Sequence, residues 1–245
     1  MRRALAAEGR KLTTLRAPKI ALALALVADV VFVIGLLFAV PADALAEGEQ
    51  QRRLVGGGFA PLVVSFLAIT LLAGERSHGT LATTLLIQPL RERLVAVKAL
   101  TAVLLGLTVG VVGTALVTAA VAAGLAVRDV DPVVDGALVV TLLGSVLSCV
   151  VLTVLLFGLG AALGNQRAAM VTYLVWIFMV ESLLTSLADL RGTDVDRFLP
   201  FQALTAMQSP GEVPLTMWAA VLVACTYTAI ALTAGWIRTT RTDVN

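Results

Sequence analysis

Residues 75–98 read ERSHGTLATTLLIQPLRERLVAVK, and they decide the fold because they form a polar, basic island between two long apolar runs. Arg76, Arg91, Arg93 and Lys98 make the island positive, and short basic loops beside membrane spans stay on the cytoplasmic side. Between Thr80 and Ile87, Leu81, Leu85 and Leu86 recur at helical spacing, Pro89 stops the helix, and Arg91 opens the next apolar segment. The pattern predicts a short helix presented at a membrane surface between two spans.

Away from the island the composition sets the class. The 245 residues are 59% hydrophobic and 14% charged, with a mean hydropathy of +0.96, which belongs to polytopic membrane proteins and not to soluble domains. Working outward, the apolar runs cover residues 20–40 and 55–73 before the island and 97–127, 136–163, 168–188 and 214–237 after it. At about 1.5 Å per residue each crosses a hydrocarbon core of roughly 30 Å. The expected fold is therefore an all-α polytopic membrane protein with six transmembrane helices. No Pro/Ser-rich linker or charge block divides residues 1–245, so they read as one domain.

Charge gives the orientation. Thirteen of the 18 Lys and Arg fall at the N-terminus, in the island, at Arg167 and at Arg238 and Arg241, against five on the opposite side. Most acids, from Asp43 and Glu47 to Asp196 and Glu212, lie with those five. The bias predicts a multi-pass protein of the cytoplasmic membrane with both termini inside. Residues 1–19 interleave Leu5, Leu12 and Leu15 with six basic residues, which suits an amphipathic helix on an anionic leaflet, with a solvated basic tail as the plainer alternative. Ala42, Ala44 and Ala46 offer small-residue cleavage sites, but the apolar run before them exceeds a signal-peptide core, so an uncleaved anchor is expected.

Several smaller signals concern packing. Gly106 with Gly110, and Gly160 with Gly164, are GxxxG pairs that would let helix backbones approach closely. Trp218 and Trp236 suit the two interfacial belts of the last span. Cys149 and Cys225 lie inside apolar runs and read as free, small apolar residues. Between Asp189 and Pro214, the stretch FLPFQALTAMQ is too short to span yet apolar enough to dip into the outer interface as a re-entrant helix, with a packed outer loop as the alternative.

Catalytic machinery is not legible. A single histidine, His78, rules out a His-based metal cluster, so no catalytic or metal site is expected; no GxSxG elbow occurs. The three lysines, Lys11, Lys19 and Lys98, are followed by Leu12, Ile20 and Ala99, so no P-loop exists and the chain cannot hydrolyse ATP through one.

The order of parts resembles the permease subunit of an ABC-2 type transporter, an ABC exporter: basic N-terminus, two spans, a cytoplasmic helix, three spans, an outer re-entrant segment and a last span. The most specific likeness is Glu75, Arg76, Gly79, Thr80, Leu81, Leu85, Pro89, Arg91 and Lys98, similar to the family's acid, Gly-Thr-Leu, proline-ended helix, Arg and Lys. Leu199 and Pro200 with Ala203 and Leu204 resemble its outer segment. The resemblance implies that residues 80–87 form a coupling helix docked on a separate, soluble ATP-binding cassette subunit. Glu75, Arg76, Gly79, Thr80, Leu81, Leu85, Pro89 and Arg91 would then make the partner contact. It further implies a second permease copy or a related permease, ATP and Mg on the partner and no cofactor on this chain, no nucleic-acid partner, and an apolar or amphipathic substrate.

One pair of residues keeps another class in view. Asp29 in the first span and Glu181 in the fifth are intramembrane acids, costly in lipid and candidates for a transport pathway. They would serve a proton-driven secondary transporter, or act as interhelical hydrogen-bond anchors.

Overall fold

The computed structural model describes residues 9, 16–58, 60–77, 90–209, 211 and 213–241. Among them are six helical segments long and apolar enough to cross a membrane: Pro18–Ala39, Gly48–Gly74, Arg91–Val127, Gly136–Leu163, Gln166–Arg191 and Met217–Arg241. The described residues are thus helical with no strand among them, and their six long apolar helices are the pattern of a membrane protein. The expected amphipathic segment at 1–19 lies mostly outside those residues, and its last part, from Arg16, continues the first span helix.

In chain order, α1 is Arg16–Ala39, α2 is Ala42–Leu45 and α3 is Gly48–Gly56. Helix α4, Ala60–Ile69, runs into a π-turn at Thr70–Gly74 and a last helical turn at Glu75–Ser77. Helices α5 and α6 are Arg91–Val127 and Gly136–Leu163. The fifth span comprises α7, Gln166–Val175, a π-turn at Trp176–Glu181, and α8, Ser182–Arg191. Helix α9 is Pro200–Gln208 and α10 is Met217–Arg241.

Local chemistry sets the boundaries. Asp135 accepts from Leu138 N at 2.8 Å to start α6, and Asn165 Oδ1 accepts from Arg167 N and Ala168 N to start α7. Gly164 at φ +62° and Gly192 at φ +61° end α6 and α8 in the left-handed region. Helix α5 begins six residues before the expected 97 and holds 37 residues, about 55 Å at 1.5 Å each, so its first turns project beyond a roughly 30 Å core. That projection absorbs Arg91 and Arg93 without burying them in hydrocarbon. The second span departs from a single rod: α3 and α4 are separated at Gly57–Gly58.

Helix α6 is the centre of the bundle, packed on α4, α5, α7, α9 and α10. A Cβ on Gly106 would lie 2.9 Å from Val150 Cα, and one on Gly110 would lie 3.2 Å from Cys149 Cβ, so this pair does let α5 close on α6. The pair at Gly160 and Gly164 behaves otherwise. Gly160 faces Ile69 on α4, but Gly164 is the left-handed cap of α6, so the second pair is not a packing motif.

The face of the bundle holding Arg52 is cross-linked by polar contacts. Arg52 pairs with Asp135 at 2.8 Å, Gln51 Nε2 donates to Leu45 O and Asp131 O, and Arg128 Nη1 donates to Val40 O at 2.6 Å. Cys149 is buried and Cys225 exposed, both as free thiols. Trp218 is exposed, and Trp236 is partly so.

Candidate functional site

Helix α9 organises the polar interior. Its Ala203, Leu204, Ala206 and Met207 are buried, and it packs on α6 and α10. Met207 reaches Gly144, eight positions into α6 or about 12 Å at 1.5 Å per residue. At its other end it meets Glu181, ten positions or about 15 Å from the end of α8 at Arg191. Both ends of α9 therefore lie inside the ends of the helices that hold them, where its terminal N–H groups need acceptors other than bulk water.

Glu181 supplies them. Pro200 occupies the first helical position and has no N–H, while Leu199 at the cap position has an apolar side chain with no cap bond. Glu181 Oε1 accepts from Phe201 N at 2.7 Å and Gln202 N at 3.0 Å, and its Oε2 accepts from Trp176 Nε1 at 3.1 Å. The side chain thus caps α9 from a neighbouring span. Trp176 and Glu181 are the first and last residues of the π-turn, whose geometry lets residues five apart meet. Glu181→Ala would leave two partly buried N–H groups without their acceptor and should lower detergent thermal stability by about 1–2 kcal/mol, while Glu181→Gln, which keeps one acceptor, should recover at least half of that loss. Equal losses in the two variants would remove the cap from the account.

Asp29, in α1, is also buried, at 2% exposure. A Cβ on Gly58 would lie 3.0 Å from Asp29 Oδ2 and 3.3 Å from Oδ1, so the carboxylate rests on the break that precedes α4. Beside it is a cavity of about 30 Å³ bordered by Gly110, Ser145, Cys149 and Gln208, room for about one water. Gln208 Nε2 donates to Ser148 Oγ at 2.7 Å. Asp29 borders this small cavity, and Glu181 borders a different, larger cleft. Helix α9 lies between them, held at its first turn by Glu181 and bordering the Asp29 cavity with its last residue.

A second polar centre joins the two ends of the 75–98 island. Lys98, 0% exposed, donates to Leu71 O at 2.6 Å and pairs with Glu75 Oε1 at 2.9 Å. Leu71 lies in the π-turn at Thr70–Gly74, where the regular helical ladder is displaced. The second span's exit and the third span's entry are therefore clamped together by a buried charge pair.

Of the expected partner contacts, Glu75 is used inside the bundle in this way, and Arg91 is the half-buried first residue of α5. Arg76 is in the last turn after the π-turn. Gly79, Thr80, Leu81, Leu85 and Pro89, with the whole of 80–87 and His78, lie outside the described residues. Sequence reasoning missed Gly144 and the cap role of Glu181. For the cap a signal was present: an apolar residue before Pro200 leaves the α9 terminus without a local acceptor.

A larger cleft of about 340 Å³ opens between α6, the fifth span, the first turns of α9, and α10. Leu156, Leu159, Trp176, Phe201, Ile230 and Ala234 are among its walls, and the lining is almost wholly apolar. The chain matches no protein-family model and no curated protein, so what it does is read from its own residues.

Proposed function

We propose that this chain is the permease subunit of an ABC-2 type exporter, moving an apolar or amphipathic substrate across the cytoplasmic membrane with ATP hydrolysed by a separate soluble subunit. The observation that carries this reading is the Lys98–Glu75 pair at 2.9 Å. It ties both ends of the basic loop to one rigid frame, so a push on residues 80–87 is delivered to two spans at once instead of being lost in slack. In this reading residues 80–87 are the coupling helix, both termini are cytoplasmic, α9 is the re-entrant helix of the outer half, and a second copy or a related permease completes the pathway. The three N–H donors on Glu181 support an anchoring role for it over proton carriage.

The test is direct. Leu81 and Leu85 share one helical face at i and i+4, and each buried in a partner groove would contribute about 1.5–3 kcal/mol. Leu81→Asp and Leu85→Asp should release a co-expressed ATP-binding cassette subunit in a pull-down and leave detergent stability unchanged. A cysteine at Gln88 should be labelled from the cytosolic side alone. Retained binding in both variants, or labelling from outside, would defeat the assignment. Transport that collapses with an uncoupler at constant ATP would instead favour the proton-driven carrier.

A further inference from the structure

The cleft between the fifth and sixth spans has a composition gradient along its length. Its far end is closed by Phe201 and the Trp176–Glu181 pair, and its middle by leucines and Ile230. At the near end are Ala162 and Ala234. One turn beyond Ala234, the exposed Arg238 donates from Nη1 to Ala162 O at 2.6 Å, which holds the guanidinium over the cleft's mouth with its other N–H groups still able to donate. Arg167 and Arg241 are exposed at the same end of the bundle. The connection Gly164–Gln166 carries no acid.

An apolar slot that ends at a fixed arginine matches a ligand with a hydrocarbon chain and an anionic head. Free phosphate would leave the slot empty, and a neutral chain would leave the arginine unused. We propose that this cleft seats one acyl chain of an anionic phospholipid from the adjoining leaflet, with its phosphate on Arg238. Basic pockets between membrane helices bind anionic headgroups in this manner, and arginine's fork suits phosphate. The inference stands apart from the transport reading, since it needs only a bilayer around the bundle.

Trp176 on the cleft wall provides the probe. The full chain carrying Trp218→Phe and Trp236→Phe retains Trp176 as its single tryptophan. Reconstitute it in phosphatidylcholine bilayers containing a small equal fraction of phosphatidylglycerol or phosphatidylcholine with brominated acyl chains, and measure quenching. Brominated phosphatidylglycerol should show roughly fivefold higher apparent affinity, as expected for one arginine at a phosphate, and the preference should shrink as salt is raised. Arg238→Gln should bring the ratio close to one. Ala234→Phe, which obstructs the slot and leaves every arginine in place, should also abolish the preference. A ratio near one in the parent protein, or a preference insensitive to salt, would overturn the proposal. So would a preference that survives Ala234→Phe, which would mean surface attraction alone, or no quenching by either lipid, which would mean that a second copy fills the cleft.

Discussion

Gly144→Ala should unseat α9 and be among the most damaging single substitutions in the chain. A Cβ at position 144 would lie 1.7 Å from Met207 O and 2.7 Å from its carbonyl carbon, far inside van der Waals contact, and the obstacle is backbone that no rotamer change can move. Helix α9 must shift by more than about 1 Å, while Glu181 holds its first turn and Gln208 its last. Overpacking of this kind costs about 3 kcal/mol, the upper end of the usual range. The fitting control is Gly35 in α1, where nothing lies within 4 Å of an added Cβ; Gly35→Ala should be neutral or stabilise by up to about 1 kcal/mol through helix propensity. Thermal unfolding of the two variants in detergent decides the point. Similar melting temperatures would mean that α9 is not seated against α6 as described.

Lys98→Met should be comparably severe, for an electrostatic reason. Removing one member of a buried pair weakens the support of the other's charge, at a cost of up to about 3–5 kcal/mol, whereas replacing both by apolar residues is often close to neutral. Lys98 is wholly buried and the Glu75 side chain is 15% exposed. The double variant Lys98→Met/Glu75→Met should therefore be more stable than Lys98→Met alone, with a coupling energy of about 1–3 kcal/mol in a double-mutant cycle. Additive losses would show that the two charges do not stabilise each other. Under the proposed function, the recovered double variant should still bind the ATPase and transport poorly, since an apolar contact restores stability and not the fixed register of the loop ends.

The sequence carried the span pattern well and the interior poorly, for physical reasons that differ from place to place. Hydropathy over some twenty residues is a strong signal, so each apolar run expected from sequence overlaps a helical segment long and apolar enough to span, the second of them broken in two. The break at Gly57–Gly58 was invisible because glycine is nearly neutral in a hydropathy window and α3 is itself amphipathic. GxxxG spacing found the α5–α6 crossing at Gly106 and Gly110, yet the same spacing at Gly160 and Gly164 joined a packing glycine to a helix cap. Asp29 and Glu181 were identifiable as exceptional because carboxylates are rare in lipid. Their placement was not, because what Glu181 holds is backbone twenty residues further on, and backbone N–H groups leave no trace in a side-chain pattern. Lys98 was read as one letter of a loop motif, and only the fold shows it as a buried partner for Glu75.

The π-turn at Trp176–Glu181 also bears on how this chain can change over generations. A turn closed by i→i+5 bonds holds about one residue more than an α-turn, and each residue added to or lost from a helix rotates everything beyond it by about 100°. A one-codon deletion in α8 beyond that turn would barely change hydropathy or composition, and would pass unnoticed in a hydropathy profile. It would nevertheless swing the rest of α8 about its axis, whereas a deletion between Trp176 and Glu181 would be taken up by the turn's extra residue and leave the two side chains four apart on one helical face. The span tolerates exchange of one apolar residue for another along most of its length, and this turn is the place where it can also absorb a change in the count of residues.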